Sequence, residues 1–291
     1  MEKARNYILR QGAAQFGSGW LGHDVIRAVS KYGALPESVY SGVLLGEKNH
    51  DHRKLDLKLK SYLDTLLTRT PIPTNWMEGF QSILDDNLGS VPTSFVYKEK
   101  QYTPLTFASE VLHSNSKDYV NITSFSHHPF YTSFILEAPD NFLNGSYYNI
   151  PLDEMIDLTM HAVESGHSIM WDADVSNKFF RQRQGFALQW TDAASIPKVI
   201  DPEAAEVPYN QEVRQELYEN LTTQDDHLMH LVGIEKSTGG KNFFLVKNSW
   251  GEIGPYKGLI HVSETYFAIN TISLVVPKDA LDRKLKGKLG M

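Results

Sequence analysis

Two short apolar runs separated by a glycine pair constrain this 291-residue chain more than any other stretch. Leu228, Met229, Leu231, Val232 and Ile234 form one run and Phe243 to Val246 the other. Both are too short to stand as independent helices and too apolar for exposed strands, so they predict buried strands. Between them, Lys236-Ser237-Thr238-Gly239-Gly240-Lys241 offers two glycines for the positive φ angles of a tight turn. The segment therefore predicts an antiparallel hairpin. With the turn centred near Thr238 and Gly239, His227 lies about eleven residues before it and Asn248 about nine after. A bulge or a diagonal pairing then brings the two side chains together across the ladder.

That contact has a chemical reading. Cysteine attacks as thiolate, and a neighbouring imidazole lowers its pKa by taking the proton and staying beside it as a cation. A side-chain amide that accepts from the other ring N–H fixes the tautomer and the ring plane, as in the Cys-His-Asn form of the catalytic triad. Asn248 suits that task, and Trp250, two residues on, is placed to cover the pair and exclude water. Taken singly, a core histidine bonded to a buried amide is ordinary. The joint occurrence of histidine, hairpin and Asn248-Ser249-Trp250-Gly251 favours the triad. Yet the sequence contains no cysteine. It holds a base and an orienter without a nucleophile.

The hairpin resembles the right-hand domain of papain-like cysteine peptidases, and three other segments resemble their bleomycin hydrolase or bacterial aminopeptidase C branch. These are His23-Asp24-Val25-Ile26-Arg27-Ala28-Val29-Ser30-Lys31-Tyr32-Gly33-Ala34-Leu35-Pro36, Ile122-Thr123-Ser124-Phe125-Ser126-His127-His128-Pro129-Phe130-Tyr131, and Trp171-Asp172-Ala173-Asp174-Val175-Ser176. The resemblance implies an α+β, papain-like fold with an incomplete helical left domain and a β-rich right domain of antiparallel strands. It further implies hydrolysis of peptide substrates near their N-termini, no cofactor, and assembly into hexamers. Carried over residue by residue, it makes His227 the general base, Asn248 its orienter, Trp250 their shield, and Asp174 a substrate contact on a strand that borders the cleft.

The family's oxyanion glutamine and Cys-Trp pair have no match. In the family, a helix ending in Tyr-Gly and followed by a proline comes a few tens of residues after the nucleophile. Here that helix is expected over His23 to Tyr32, which puts the cysteine upstream of Met1 and reads the chain as shortened. The rival reading takes Gln11-Gly12 and Gly19-Trp20 as a decayed glutamine and Cys-Trp, eight residues apart, a wider spacing than usual. The corresponding functions are a cysteine-type aminopeptidase whose present sequence is inactive alone, or a catalytically dead relative serving as a peptide-binding or oligomeric scaffold.

Patterning divides the chain in three. Residues 1–117 are read as the left-domain remnant plus an insertion. Helical patterns dominate there, with stops at Gly33 and Gly89, and Leu55, Leu59, Tyr62, Leu63 and Leu66 recur at helical spacing. Pro71-Ile72-Pro73 breaks one helix before Asn75-Trp76 opens the next. Residues 118–276 are read as the right domain, with strands at Tyr119 to Phe125, His167 to Val175, the hairpin, Gly258 to Val262 and Thr271 to Val276. One helix interrupts them: Pro151 lies in its first turn, Leu152, Met155, Ile156, Thr159 and Val163 share a face, and Gly166 stops it. Lys198 to Tyr209 is proline- and acid-rich and predicts a surface loop. Residues 277–291 form a C-terminal tail, basic and helical in character to Leu289. In the resembling branch such an arm enters the cleft and limits cleavage to chain ends; the alternative is a frayed terminal helix.

Composition narrows the partners. A net charge of -7 argues against nonspecific nucleic-acid binding. No apolar stretch approaches the length of a membrane span. The N-terminal residues lack a signal peptide's apolar core, so a cytoplasmic location is expected, or a secreted or periplasmic one if a leader precedes Met1. Metal is not expected. His127-His128 and His50-Asp51-His52 lack the spacing that aims two imidazoles from a helix at one ion. His230, three residues after His227 on a strand, points to the opposite face. Asp172 and Asp174 share a strand face.

Overall fold

The computed structural model describes residues 1–192 and 196–291 and divides them into two compact units. The first comprises Met1–Trp20, Asp24–Ser116 and Glu137–Asn144. Its helices are α1 (Glu2–Leu9), α2 (Gly22–Tyr32, entering this unit at Asp24), α3 (Arg53–Leu67), α4 (Trp76–Leu88) and α5 (Pro104–Glu110). The heptad-like set on α3 packs as its spacing dictates. Leu55, Leu59, Leu63 and Leu66 are buried with Ala4 and Tyr7 of α1 and Phe80 of α4, while Tyr62 is half-buried and donates its hydroxyl to the Trp76 carbonyl at 2.7 Å. α2 and α4 end immediately before Gly33 and Gly89.

Within this helical stretch lies a hairpin that the pattern does not announce, β1 (Phe95–Tyr97) and β2 (Lys100–Tyr102). Its two-residue turn puts Lys98 and Glu99 at φ 47° and 66° without glycine or asparagine to signal it. Phe95, Tyr97 and Tyr102 hold it by packing on Phe107 of α5.

The second unit comprises Leu21–His23, Lys117–Leu136 and Gly145–Met291. Its strands are β3 (Tyr119–Thr123), β4 (Ser133–Ile135), β5 (Ser146–Asn149), β6 (Ile169–Ala173), β7 (Phe180–Arg181), β8 (Phe186–Ala187), β9 (His227–Lys236), β10 (Asn242–Lys247), β11 (Leu259–Ser263) and β12 (Thr271–Pro277). They form one sheet of order β4-β5-β3-β12-β6-β9-β10-β11-β8-β7. All neighbours are antiparallel except β3 with β5 and β8 with β11, two parallel pairs that the expectation of antiparallel strands missed.

Helix α6 (Leu152–Glu164) lays the anticipated face into the core: Leu152, Met155, Ile156 and Thr159 are buried and Val163 packs at the margin. Pro151 sits just before the first turn as N-cap, with Asp153 and Glu154 following where the macrodipole favours acids. Two further helices lie where strands are expected, and a third lies in the C-terminal tail. α7 (Gln211–Glu219) is capped by the Asn210 side chain, which accepts from the Val213 N–H at 2.8 Å. α8 (Glu264–Asn270) is capped likewise by Ser263 and buried over most of its surface, which removes the polar face that reveals a helix. α9 (Arg283–Leu289) ends the chain, with Leu285 and Leu289 buried in the same core and the Lys288 ammonium bonding to Glu154 of α6 at 2.5 Å. The tail is thus docked on α6.

The central packing joins sheet and helices through Trp171 of β6, which is fully buried, stacks on Phe267 of α8 at 5.8 Å, and donates its indole N–H to Thr271 at 2.8 Å. The hairpin of β9 and β10 stands beside it. Only one of its two glycines takes positive φ, Gly240 at 90°. Its ladder carries the anticipated bulge: Leu245 faces Gly233 and Val246 faces Leu231, so Val232 is the extra residue. β9 is less buried than its apolar run suggests. Met229 and Leu231 face the core, whereas His230 and Val232 alternate outward. The acid-rich loop also departs from the surface reading, since Ile200 is buried with Leu188, Trp190 and Phe243, and Glu206 pairs with Lys241.

Candidate active site

His227 opens β9, where it pairs with Ala173 of β6, and Asn248 follows the last residue of β10. The bulge at Val232 advances one strand against the other. The His227 Nε2 and the Asn248 Oδ1 lie 2.9 Å apart. Asn248 is buried, and its backbone N–H donates to the Gly258 carbonyl at 3.1 Å.

The direction of the hydrogen bonds can be assigned. The backbone N–H of Ser249 donates to Asn248 Oδ1 at 2.7 Å, and an amide N–H can only donate. The atom facing His227 is therefore the carbonyl oxygen, and His227 must carry its hydrogen on Nε2. The lone pair that acts as base is left on Nδ1. Asn248 Nδ2 in turn donates to the Gln182 Oε1 at 3.1 Å. Trp250 lies with its ring centroid 5.1 Å from that of His227, tilted by 31°, and Phe180 of β7 meets the indole edge-on at 6.0 Å. His227, Asn248 and Trp250 are thus brought together. Trp250 is itself 45% exposed, so it covers the pair as an outer wall rather than as core.

Asp174 is placed differently. The residue is 2% exposed and its carboxylate is engaged within the fold: Oδ1 accepts from the Ser176 N–H at 3.0 Å and Oδ2 from the Gln224 N–H at 3.0 Å. A buried carboxylate whose two oxygens each already accept a backbone N–H is poorly placed for the substrate contact expected of it, and instead ties two turns together. Asp226, next to His227, accepts from the Val175 N–H at 3.1 Å and ties the approach to β9 onto the same loop. Asp172 is buried and accepts from the Ser273 hydroxyl at 3.3 Å.

His230 points away from His227, as strand parity requires; although outward-facing it is partly desolvated, and this together with the nearby Lys247 charge lowers its pKa. It borders a cavity of about 720 Å³ that reaches Asn248 and Ser249 and is floored by Met170, Leu228 and Val275. Of the other histidines, His52 Nε2 lies 3.1 Å from the Gly42 carbonyl and His127 Nδ1 lies 2.9 Å from the Gln215 amide. Sequence reasoning missed Gln182. It lies 66 residues before Asn248, in the turn after β7, and no spacing rule links the two.

The chain belongs to the Peptidase C1-like family, whose sequence model matches residues 93–290. Among its relatives, aminopeptidase C of Streptococcus thermophilus is 24% identical over 303 residues, covering 92% of this chain and 64% of the relative. Aminopeptidase C of Lactococcus lactis subsp. cremoris is 24% identical, covering 98% and 68%, and human bleomycin hydrolase is 22% identical, covering 93% and 64%. The chain thus spans about two thirds of the length of the curated relatives it matches. The crystal structure of PepW from Lactobacillus rhamnosis HN001 superposes on 99% of this chain and 72% of its own, with a TM-score of 0.72 at 19% identity, which establishes the shared α+β fold. Among the described residues no helix is long and apolar enough to cross a membrane.

Proposed function

We propose that this chain supplies the base and the orienter of a cysteine-type aminopeptidase. The observation that carries the reading is the one-directional chain of hydrogen bonds through Asn248, which leaves Nδ1 of His227 as an acceptor under the Trp250 wall. In that role Nδ1 takes the proton of a thiol, and the sulfur attacks the carbonyl carbon of a peptide bond. The imidazolium, steadied by Nε2–H donation to Asn248, then protonates the leaving amine as the C–N bond breaks. Water, losing its proton to Nδ1, hydrolyses the thioester. The thiol must come from outside these 291 residues, because none of them is cysteine.

The same lack of cysteine supports a second reading, a peptide-binding scaffold without turnover that uses the cavity beside Asn248. Assembly into hexamers belongs to either reading and is measured by sedimentation. The purified chain is expected to leave an aminoacyl-anilide intact. An in-frame glutamine and Cys-Trp in the coding DNA upstream of Met1, with hydrolysis by the extended protein that disappears in His227→Ala, supports the enzyme. Hydrolysis by the present chain alone, lost in His227→Ala, would overturn the thiol mechanism.

A further inference from the structure

We infer that Gln182 is a positioning residue: by holding Asn248 Nδ2 it keeps the amide turned so that Oδ1 faces His227. Three observations on the turn between β7 and β8 carry this. First, the Gln182 Oε1 accepts from Asn248 Nδ2 at 3.1 Å in a buried setting, opposite the side on which the Ser249 N–H holds Oδ1. The amide is gripped from both ends. With both grips in place, turning it over would set two donors against each other at Ser249 and two acceptors at Gln182.

Second, Gln182 is only 5% exposed, yet its Nε2 has no hydrogen-bond partner among the described residues. A buried amide with an orphaned donor is a poor choice for stability alone, since an apolar side chain of similar volume carries no such penalty. The useful atom is the carbonyl oxygen.

Third, the backbone at this position is closely packed. The Gln182 carbonyl accepts from the Gly185 N–H at 3.1 Å, and a Cβ at Gly254, whose φ is 79°, would lie 2.5 Å from the same oxygen. Gly254 belongs to the loop that also carries Trp250, and Phe180 of the β7 segment meets Trp250. One short segment therefore braces both the orienting amide and its cover.

The consequence for catalysis rests on the Cys-His-Asn reading, but the arrangement can be tested without turnover. Long-range 1H–15N spectra of the His227 ring, recorded on the neutral imidazole, report which nitrogen bears the hydrogen. The native chain is expected to show the Nε2–H form. In Gln182→Met, which keeps the length and removes the acceptor, the ratio of Nε2–H to Nδ1–H is expected to fall about tenfold, the loss of one buried hydrogen bond. Gln182→Glu, which restores an acceptor at the same atom, should recover the native ratio. Gln182→Leu serves the same purpose if the methionine variant fails to fold. A native ratio in whichever of the two apolar variants folds overturns the role of Gln182 while leaving the triad reading intact. An Nδ1–H form in the native chain would instead overturn the triad reading itself.

Discussion

Replacing Asn248 by alanine and by aspartate should have unequal costs, and the inequality follows from one unpaired atom. Alanine removes the acceptor for the Ser249 N–H and the donor to the Gln182 carbonyl. The His227 N–H also loses its partner, but that ring is half-buried and can turn to water. Ser249 is exposed and its N–H can turn to water as well, so the group orphaned within the fold is the Gln182 carbonyl, at about 1–3 kcal/mol. Aspartate keeps the shape and keeps accepting from Ser249 and His227, now as an ion. Its second oxygen would face the Gln182 Oε1 and repel it, unless the glutamine amide turns end for end. That turn leaves Oε1 as the unpartnered atom in place of Nε2, and the charge-assisted bond from Nε2 to the new carboxylate outweighs this. The cost should stay below about 1 kcal/mol at neutral pH. Three donors depress the folded pKa of the introduced carboxylate. Its contribution is thus present above the ordinary carboxylate range, about pH 4, and is lost as pH falls through the folded value. Native-state hydrogen exchange of the β9 and β10 amides measures both variants locally. Equal protection losses for alanine and aspartate would refute the compensation.

Two further perturbations test the packing around the site and the docked terminus. Leu285→Ala combined with Leu289→Ala should release α9 from α6, since a seven-residue helix does not persist in isolation, and trypsin should then cut at Lys284 or Lys286 at least tenfold faster. The same detachment should set in at low pH. Burial raises the Glu154 pKa, but the bonds from Lys288 and Tyr131 outweigh it and hold the carboxyl below its ordinary value, so docking is full above the ordinary carboxylate range and weakens as pH falls through the folded value. Protease cleavage that is independent of pH in Glu154→Gln but not in the native chain would verify that assignment. Gly254→Ala should cost about 1–3 kcal/mol, because the residue needs positive φ and its Cβ would strike the Gln182 carbonyl; a melting curve matching the native one would contradict it.

What could be read without coordinates was whatever local signals encode. The β9–β10 hairpin is written in alternating apolar residues around a glycine turn, and α6 in a one-sided apolar stripe bounded by Pro151 and Gly166. His227 and Asn248 follow because the hairpin converts sequence distance into contact. Elements held by tertiary context were not legible. α8 is buried around most of its surface and shows no period, the β1–β2 turn bends through two ordinary charged residues, and Ile200 anchors a loop whose composition suggests solvent. For Asp174, a strand pattern tells which residues share a face but not that Ser176 and Gln224 donate to the carboxylate. Gln182 belongs to the same class: its contact with Asn248 closes a loop of 66 residues.

The extra residue in β9 has a consequence for which changes of length the hairpin can absorb. His227 and Asn248 are 21 positions apart, but those positions are not equivalent. Residues added or lost at the tip, around Thr238, merely lengthen or shorten the arm, leaving the pairing of Leu231 with Val246 where it is. A single deletion at Val232 removes the extra residue itself and makes the ladder regular, because Gly233 with Leu245 and Leu231 with Val246 then become consecutive pairs. From His227 to Leu231, by contrast, β9 is stitched to β6 without any irregularity and holds no spare residue. A deletion there would carry His227 about one residue, roughly 3.4 Å, out of line with Asn248. Changes of length in this hairpin should therefore be tolerated at its tip and at Val232, while the short stretch between His227 and Leu231 should tolerate none.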